Sequence, residues 1–146
     1  MPNRVSPQLA TLVSTPPTSQ GWAYEIKFDG YRILARCEGG QAQLFTRNGN
    51  DWTPKMENLA REVSLLPVKT AWLDGEVVVL DDKGRSHFQS LQNALAGDSP
   101  APLHYFAIDL LYLDGVDLRG VALIERKRLL ERLLDGAPET VRYSQH

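Results

Sequence analysis

A chain of 146 residues, 42% hydrophobic and 23% charged, has the length of one domain or most of one, and enough apolar surface to bury a core without staples. That balance excludes a disordered tail. The formal net charge of −2 lacks the basic excess usual in nucleic-acid binders, although the total is silent about a local basic stripe.

No apolar run approaches the roughly 20 residues of a membrane span. Met1 to Pro17 holds one Arg and no long apolar stretch, which argues against a signal peptide. A lone cysteine, Cys37, rules out an internal disulfide and suits a reducing compartment. Ser6 to Val13 predicts one or two helical turns, with Ser6 as N-cap and Pro7 at the first helical position. A proline-containing loop covers Ser14 to Gly21. From Trp22 the pattern changes to period two: Trp22, Tyr24, Ile26 and Phe28 share one face, and Ala23, Glu25, Lys27 and Asp29 the other, as in a half-buried strand.

A second strand is expected from Tyr31 to Cys37. Gly39-Gly40 signals a hairpin into Gln41 to Thr46, which Asn48-Gly49-Asn50-Asp51 closes as a turn. Pro54 to Leu66 carries a helical apolar stripe of Met56, Leu59, Ala60, Val63 and Leu66. Ala71 to Leu80 is strand-like and ends in the turn Asp81 to Gly84. A short helix follows over Phe88 to Leu95, then a loop over Gly97 to Pro102 and a long apolar strand over Leu103 to Leu113, stopped by Asp114-Gly115. Leu123 to Leu134 predicts a helix on which Lys127, Leu130 and Leu134 stack, with its alternating charges on a solvated face. Hairpins imply antiparallel pairing, so the fold class is α+β: antiparallel sheets with flanking helices.

Four segments stand out chemically. In Glu25-Ile26-Lys27-Phe28-Asp29-Gly30-Tyr31-Arg32, strand alternation places Glu25, Lys27 and Asp29 on one face at steps of about 6.6–7 Å; Gly30 permits a change of direction and Arg32 can return to the same pocket. Flanking carboxylates favour a protonated lysine, so a nucleophilic Lys27 needs a bound metal and nucleotide to alter the local field. The plainer alternative is a salt-bridged amphipathic edge strand. In Thr46-Arg47-Asn48-Gly49, a strand ends on a guanidinium whose planar fork matches phosphate, though an Arg beside an Asn-Gly turn is commonplace. In Leu73-Asp74-Gly75-Glu76-Val77-Val78-Val79, Glu76 enters a β-branched run where an unpaired carboxylate is costly, so it needs a metal, a hydroxyl or an arginine such as Arg32 or Arg47. Gly75 suggests a ligand's close approach to the backbone. In Tyr105 to Gly115, Phe106 and Ile108 share a face opposite Asp109 and offer an apolar wall to a flat ring; otherwise the run reads as a core strand.

Taken in order, these segments resemble motifs I, Ia, III and IIIa of the covalent nucleotidyltransferases, the superfamily of DNA ligases, RNA ligases and mRNA capping enzymes. The likeness runs from near Pro7 to about Leu134. The wording of WAYEIKFDGYR and DLLYLDGVDLRG, followed by ERKRLLERLL, is most similar to bacterial multifunctional end-joining DNA ligases. The resemblance implies an ATP-grasp-like nucleotidyltransferase domain whose Lys27 takes AMP from ATP, with Mg²⁺ or Mn²⁺. It further implies that Asp29 orients Lys27 and later assists the 3′-hydroxyl, and that Glu25 and the backbone at Ile26 read the adenine edge. Arg32 and Arg47 would contact sugar or phosphates, and Glu76 the ribose or the metal. The family's aromatic before the motif IIIa Asp is Ile108 here, an apolar wall in place of a stacking platform; Phe106 is the candidate to compensate.

The implied partners are nicked or broken double-stranded DNA, in repair, recombination and end joining, with polymerase and nuclease modules alongside. The implied location is the bacterial cytoplasm near the nucleoid, away from membranes. No later glutamate motif or K-x-K-type motif follows motif IIIa, and no oligonucleotide-binding-fold domain. The expectation is therefore an N-terminal portion, residues 1–146, of a domain incomplete at its C-terminus, labelling weakly or not at all when isolated. Two other readings stay open. One is an RNA ligase or GTP-using capping enzyme. The other is a non-catalytic nucleotide- or partner-binding fragment, which would expose an apolar patch.

Overall fold

The computed structural model describes residues 1–98 and 100–146. In chain order the elements are β1 (Tyr31–Glu38), β2 (Gln41–Thr46), a 3₁₀ turn (Thr53–Lys55), α1 (Glu57–Val63), β3 (Thr70–Val78), α2 (Phe88–Leu95), β4 (His104–Leu113), β5 (Val116–Asp117), α3 (Leu123–Leu133) and β6 (Val141–Tyr143). The sheet runs β2-β1-β3-β4-β5, with β6 also against β4. The expected α+β class and flanking helices hold. Every pair is antiparallel except β4 with β6, which is parallel and departs from the all-antiparallel expectation.

Turn chemistry sets much of this. Gly39 and Gly40 have φ of +59° and +73° and pair Glu38 with Gln41, so both central residues of the two-residue turn take the left-handed conformation. Asp114 and Gly115, at φ of +44° and +92°, repeat the device between Leu113 and Val116.

The two faces of the sheet differ. On one, Ile33, Ala35, Leu73, Val77, Tyr105 and Leu110 meet Leu59 and Val63 of α1, Leu91 of α2 and Leu130 of α3 in the main core. The other face has no helix layer of this kind. At one end it carries a smaller cluster of Leu34, Trp72 and Tyr112 under Val5, with the Trp72 indole donating to the Pro2 carbonyl at 2.8 Å. Side-chain alternation then places Arg32 beside Leu34, and Asp74 and Glu76 beyond Trp72, on that same open face.

Several expectations are corrected. Ser6 to Val13 forms no helix, and Leu9, Leu12 and Val13 are exposed; two turns without a packed face do not repay helix nucleation. Trp22 to Asp29 is not a strand. Both edges of β1 are already taken by β2 and β3, so this segment has no ladder to join, and Trp22, Tyr24 and Ile26 stay in solvent instead of entering the core. The helix expected over Pro54 to Leu66 is broken at Met56, whose φ of −137° separates the 3₁₀ turn from α1. The strands β5 and β6 were not expected. The loop expected over Gly97 to Pro102 includes Ser99, which lies outside the described residues. Among the described residues no helix is long and apolar enough to cross a membrane.

Gly75 has a different reason from the one expected. A Cβ there would lie 2.5 Å from the Phe106 carbonyl oxygen and 2.6 Å from the Tyr105 ring, so protein atoms, not a ligand, require the glycine. The Tyr105 hydroxyl in turn donates to the Ile33 carbonyl across β3 at 3.0 Å. Gly75→Ala is expected to destabilise the chain by about 1–3 kcal/mol, the range for overpacking a filled core. Chemical denaturation would read this, with Gly120→Ala, where an added Cβ meets nothing within 4 Å and the backbone is not left-handed, as the comparison; equal losses at both positions would refute the packing argument.

Candidate nucleotide-binding cleft

A cleft of about 660 Å³ opens on the sheet's uncovered face, walled by Glu25, Arg32, Asp74, Glu76, Ile108, Asp109, Arg126 and Lys127, with Ser6 to Ala10 along one side. The strands supply Arg32 from β1, Asp74 and Glu76 from β3, and Ile108 and Asp109 from β4. Helix α3 supplies Arg126 and Lys127.

Arg32 is bound on every side. Its Nε and Nη2 reach the two oxygens of Asp74 at 3.0 and 2.5 Å, and Nη1 donates to the Gln8 carbonyl at 2.6 Å. This bidentate pair holds a carboxylate that is only 4% exposed and raises the guanidinium's affinity for its proton further. Arg32 was one of the partners considered for Glu76, beside Arg47, a hydroxyl and a metal. Glu76 does lie directly opposite Arg32 in the β1–β3 register, but the guanidinium reaches past it to the diagonal neighbour, as long side chains can. Glu76 is left half-buried, and burial pushes its carboxyl above the usual range; Asp74 adds to the rise, while Arg32, the Gly30 backbone N–H and Lys27 oppose it.

Asp109 repeats the arrangement one strand over. Arg126 Nε and Nη2 meet its two oxygens at 2.8 and 2.9 Å, and Arg126 Nη1 donates to the Val121 carbonyl. The β3–β4 register steps from Gly75↔Ala107 to Asp74↔Asp109, so Ile108 is an extra residue in β4. The bulge breaks the expected alternation, and Ile108 and Asp109 both face the cleft. The charges of α3 are likewise not all solvated: Lys127 is 1% exposed, and it donates to the Ile108 carbonyl at 2.9 Å and pairs with Glu25.

The remaining candidates divide. Lys27 is exposed, with no hydrogen bond or ion pair of its own among the described residues. It is not on the cleft floor, but its charge reaches Glu76. Its neighbours are anchored: Phe28 stacks on Phe106 at 4.3 Å between ring centres, the Asp29 N–H donates to Ser86 Oγ at 2.9 Å, and a Cβ on Gly30 would collide with the Val77 carbonyl. Ile26 is 72% exposed. Phe106 is thus occupied by Phe28 and does not wall the cleft. Arg47, one residue beyond the Ile33↔Thr46 pair, is exposed and outside the lining. Sequence reasoning missed Asp74, Asp109, Arg126 and Lys127 as parts of the site; the adjacency of two carboxylates in Asp74-Gly75-Glu76 was the available signal for the first. Among the described residues no group of three or more His, Cys, Asp or Glu side chains is arranged to hold a metal ion. Glu76 is a hard oxygen donor of the kind that binds Mg²⁺ jointly with nucleotide phosphates.

A mainly antiparallel sheet, a cleft on its open face and a lysine two residues from a cleft carboxylate are the features of a nucleotidyltransferase-type domain. Residues 7–146 match the family model for the ATP dependent DNA ligase domain, and the chain belongs to that family. It is 48% identical over 139 residues to the multifunctional non-homologous end joining protein LigD of Pseudomonas aeruginosa, covering 95% of this chain and 16% of that protein. To the corresponding DNA repair protein of Mycobacterium tuberculosis it is 38% identical over 141 residues, covering 95% of this chain and 18% of that one. A mycobacterial DNA ligase D structure complexed with ATP superposes with a TM-score of 0.66 at 35% identity, over 81% of this chain and 38% of that one. The chain therefore spans under a fifth of the length of these two curated relatives.

Two expected outcomes follow from the charges. Asp74→Asn breaks the bidentate pair and leaves Arg32 short of its counter-ion, costing about 3 kcal/mol in chemical denaturation, at the lower end for one partner of a buried pair; a loss under 0.5 kcal/mol would show that the pair is solvent-screened. Because the folded-state value of Glu76 lies above its unfolded value, the folded chain binds the extra proton, and stability falls as pH rises just above the ordinary glutamate range. Glu76→Gln is expected to flatten that decline, measured as denaturation midpoint against pH; an unchanged slope would place the cause elsewhere.

Proposed function

We propose that the chain is the N-terminal portion of the adenylation domain of an ATP-dependent DNA ligase, and that Lys27 is its AMP acceptor. The observation that carries this is the joining of family membership to a cleft in which motif residues from three of the four segments converge: Glu25 and Arg32 from the first, Glu76 from the third and Ile108 from the fourth. The neutral Lys27 amine attacks the α-phosphorus of ATP; a nitrogen–phosphorus bond forms, the bond to the β-phosphate bridging oxygen breaks, pyrophosphate leaves and the amine's surplus proton passes to solvent. Covalent capture splits one difficult transfer into two easier ones. Arg32, turned from the Gln8 carbonyl toward the nucleotide, and Arg47 on the adjoining turn would offset phosphate charge, while Ile108 walls the base and Glu25, with the Ile26 backbone, reads its edge. Phe106, covered by Phe28, supports the segment from beneath. Glu76 would hold Mg²⁺ or Mn²⁺, which supplies charge neutralisation at the phosphates. Asp29 would orient Lys27 and assist when a DNA 3′-hydroxyl attacks the adenylated 5′-phosphate, expelling AMP. Nicked or broken duplex DNA in bacterial repair and end joining is the proposed substrate, with polymerase and nuclease modules as proposed neighbours in the cytoplasm.

Incubation with Mg²⁺ and ATP labelled at the α-phosphate is expected to leave an acid-labile adduct on Lys27 in a chain that includes the rest of the domain. The 146 residues alone are expected to label weakly or not at all. Lys27→Ala is expected to reduce the label to background; label that survives this substitution, or maps to another residue, would overturn the assignment.

A further inference from the structure

A buried lysine is costly unless its ammonium is fully compensated, and Lys127 has three compensating contacts. It donates to the Ile108 carbonyl at 2.9 Å, pairs with Glu25 Oε1 and lies 5.4 Å over the Tyr143 ring. The neighbouring Arg128 is by contrast mostly solvent-exposed and paired within its own helix to Glu125. The first two contacts of Lys127 are to the residues that would form the base-reading corner of the cleft. The Ile108 carbonyl is turned to a side chain at the point where β4 bulges out of register with β3. The oxygen of Glu25 that meets Lys127 is Oε1, and Glu25, Ile108 and Lys127 all line the cleft.

We propose that Lys127 sets the choice of nucleobase: by clamping Glu25 to the Ile108 carbonyl it fixes the carboxylate at the cleft wall, where its second oxygen accepts from the exocyclic amine of adenine and repels the exocyclic carbonyl of guanine. This rests on the reading that the cleft takes a nucleoside triphosphate. A carboxylate oxygen accepts hydrogen bonds and has none to donate. The contact with Lys127 fixes where that oxygen is presented, so discrimination depends on a residue that never touches the base. Lys127 is a positioning residue in this scheme, and rejection of the wrong base arises from an unpaired, repulsive polar contact.

The test is the ratio of dissociation constants for ATP and GTP, measured by calorimetric titration of the 146-residue chain and its variants, with circular dichroism to confirm folding. The native chain is expected to favour ATP by on the order of 10²-fold, below the roughly 10⁴–10⁵-fold of a site that hydrogen-bonds its substrate from a fully buried position. Lys127→Met is expected to bring the ratio to within a few-fold of unity, mainly by weakening ATP, and Lys127→Arg to restore most of it. Glu25→Gln, on an exposed segment, carries the test if Lys127→Met fails to fold, and is expected to lose the preference as well. The double variant is expected to lose no more than Glu25→Gln alone, because the two residues act as one unit. A full preference retained by Lys127→Met, losses that add in the double variant, or a native chain that binds both nucleotides equally or neither, would each overturn the inference. The adduct on Lys27 is read independently of base preference, so the adenylation reading stands or falls by that separate measurement.

Discussion

Buried negative charge on the open face of the sheet governs the arrangement of everything near it. Asp74 occupies a central strand, flanked on both sides by other strands, at a place where an unanswered carboxylate would be several kcal/mol uphill. Arg32 answers it, and the third nitrogen of that guanidinium draws in the Gln8 carbonyl, so a single buried acid ties two strands to the N-terminal segment, which Val5 and the Pro2 carbonyl anchor further along the sheet. Asp109 with Arg126 and Glu25 with Lys127 extend the pattern across the cleft. The cleft is consequently walled by charges whose geometry is set before any ligand arrives, which lowers the ordering cost of binding.

Strands and helices whose signals are local were legible in the sequence. The double glycine at Gly39-Gly40, the apolar run of β4 and the stripe of α1 each carry their own structural instruction, and each lies close to its expected place. Trp22 to Asp29 fails for a non-local reason. Its alternation is regular, but a strand needs a free edge beside it, and which edges are free is decided by β2 and β3, elements later in the chain. The reverse holds for β6: Val141–Tyr143 has too few residues for a pattern, and its place is set by the edge of β4 that β5 leaves open.

The site was legible by residue type and less so by pairing. Glu25, Arg32, Glu76 and Ile108 do converge on one cleft. The partner of Arg32 was not legible, because opposite and diagonal positions across a strand pair are both within an arginine's reach, and only burial decides between Asp74 and Glu76. Lys127 shows two sequence signals in conflict. Helical periodicity puts it in line with Leu130 and Leu134, while the charge run Glu125 to Arg132 suggests solvent. Periodicity prevails, because Glu25 and the Ile108 carbonyl arrive from distant parts of the chain to compensate the ammonium. Phe106 was likewise a reasonable wall for a ring until Phe28, from the segment that failed to become a strand, covered it.

That failed strand bears directly on the proposed chemistry. Had Trp22 to Asp29 paired into the sheet, Lys27 would be held by ladder hydrogen bonds on both sides and its side chain fixed perpendicular to the sheet. Instead the segment is held at separate points: Glu25 by Lys127, Phe28 by Phe106, the Asp29 N–H by Ser86 and Gly30 against the Val77 carbonyl. The root of Lys27 is thereby fixed from both sides while its own side chain has no hydrogen-bond or ion-pair partner among the described residues. A nucleophile that must first meet an α-phosphate, then present the bound nucleotide to a second reactant, needs this combination. Freedom in the backbone would forfeit the advantage of proximity, and a fixed side chain would bar the second encounter. The exposure of Lys27 is therefore compatible with the role proposed for it, provided that the anchors on either side hold.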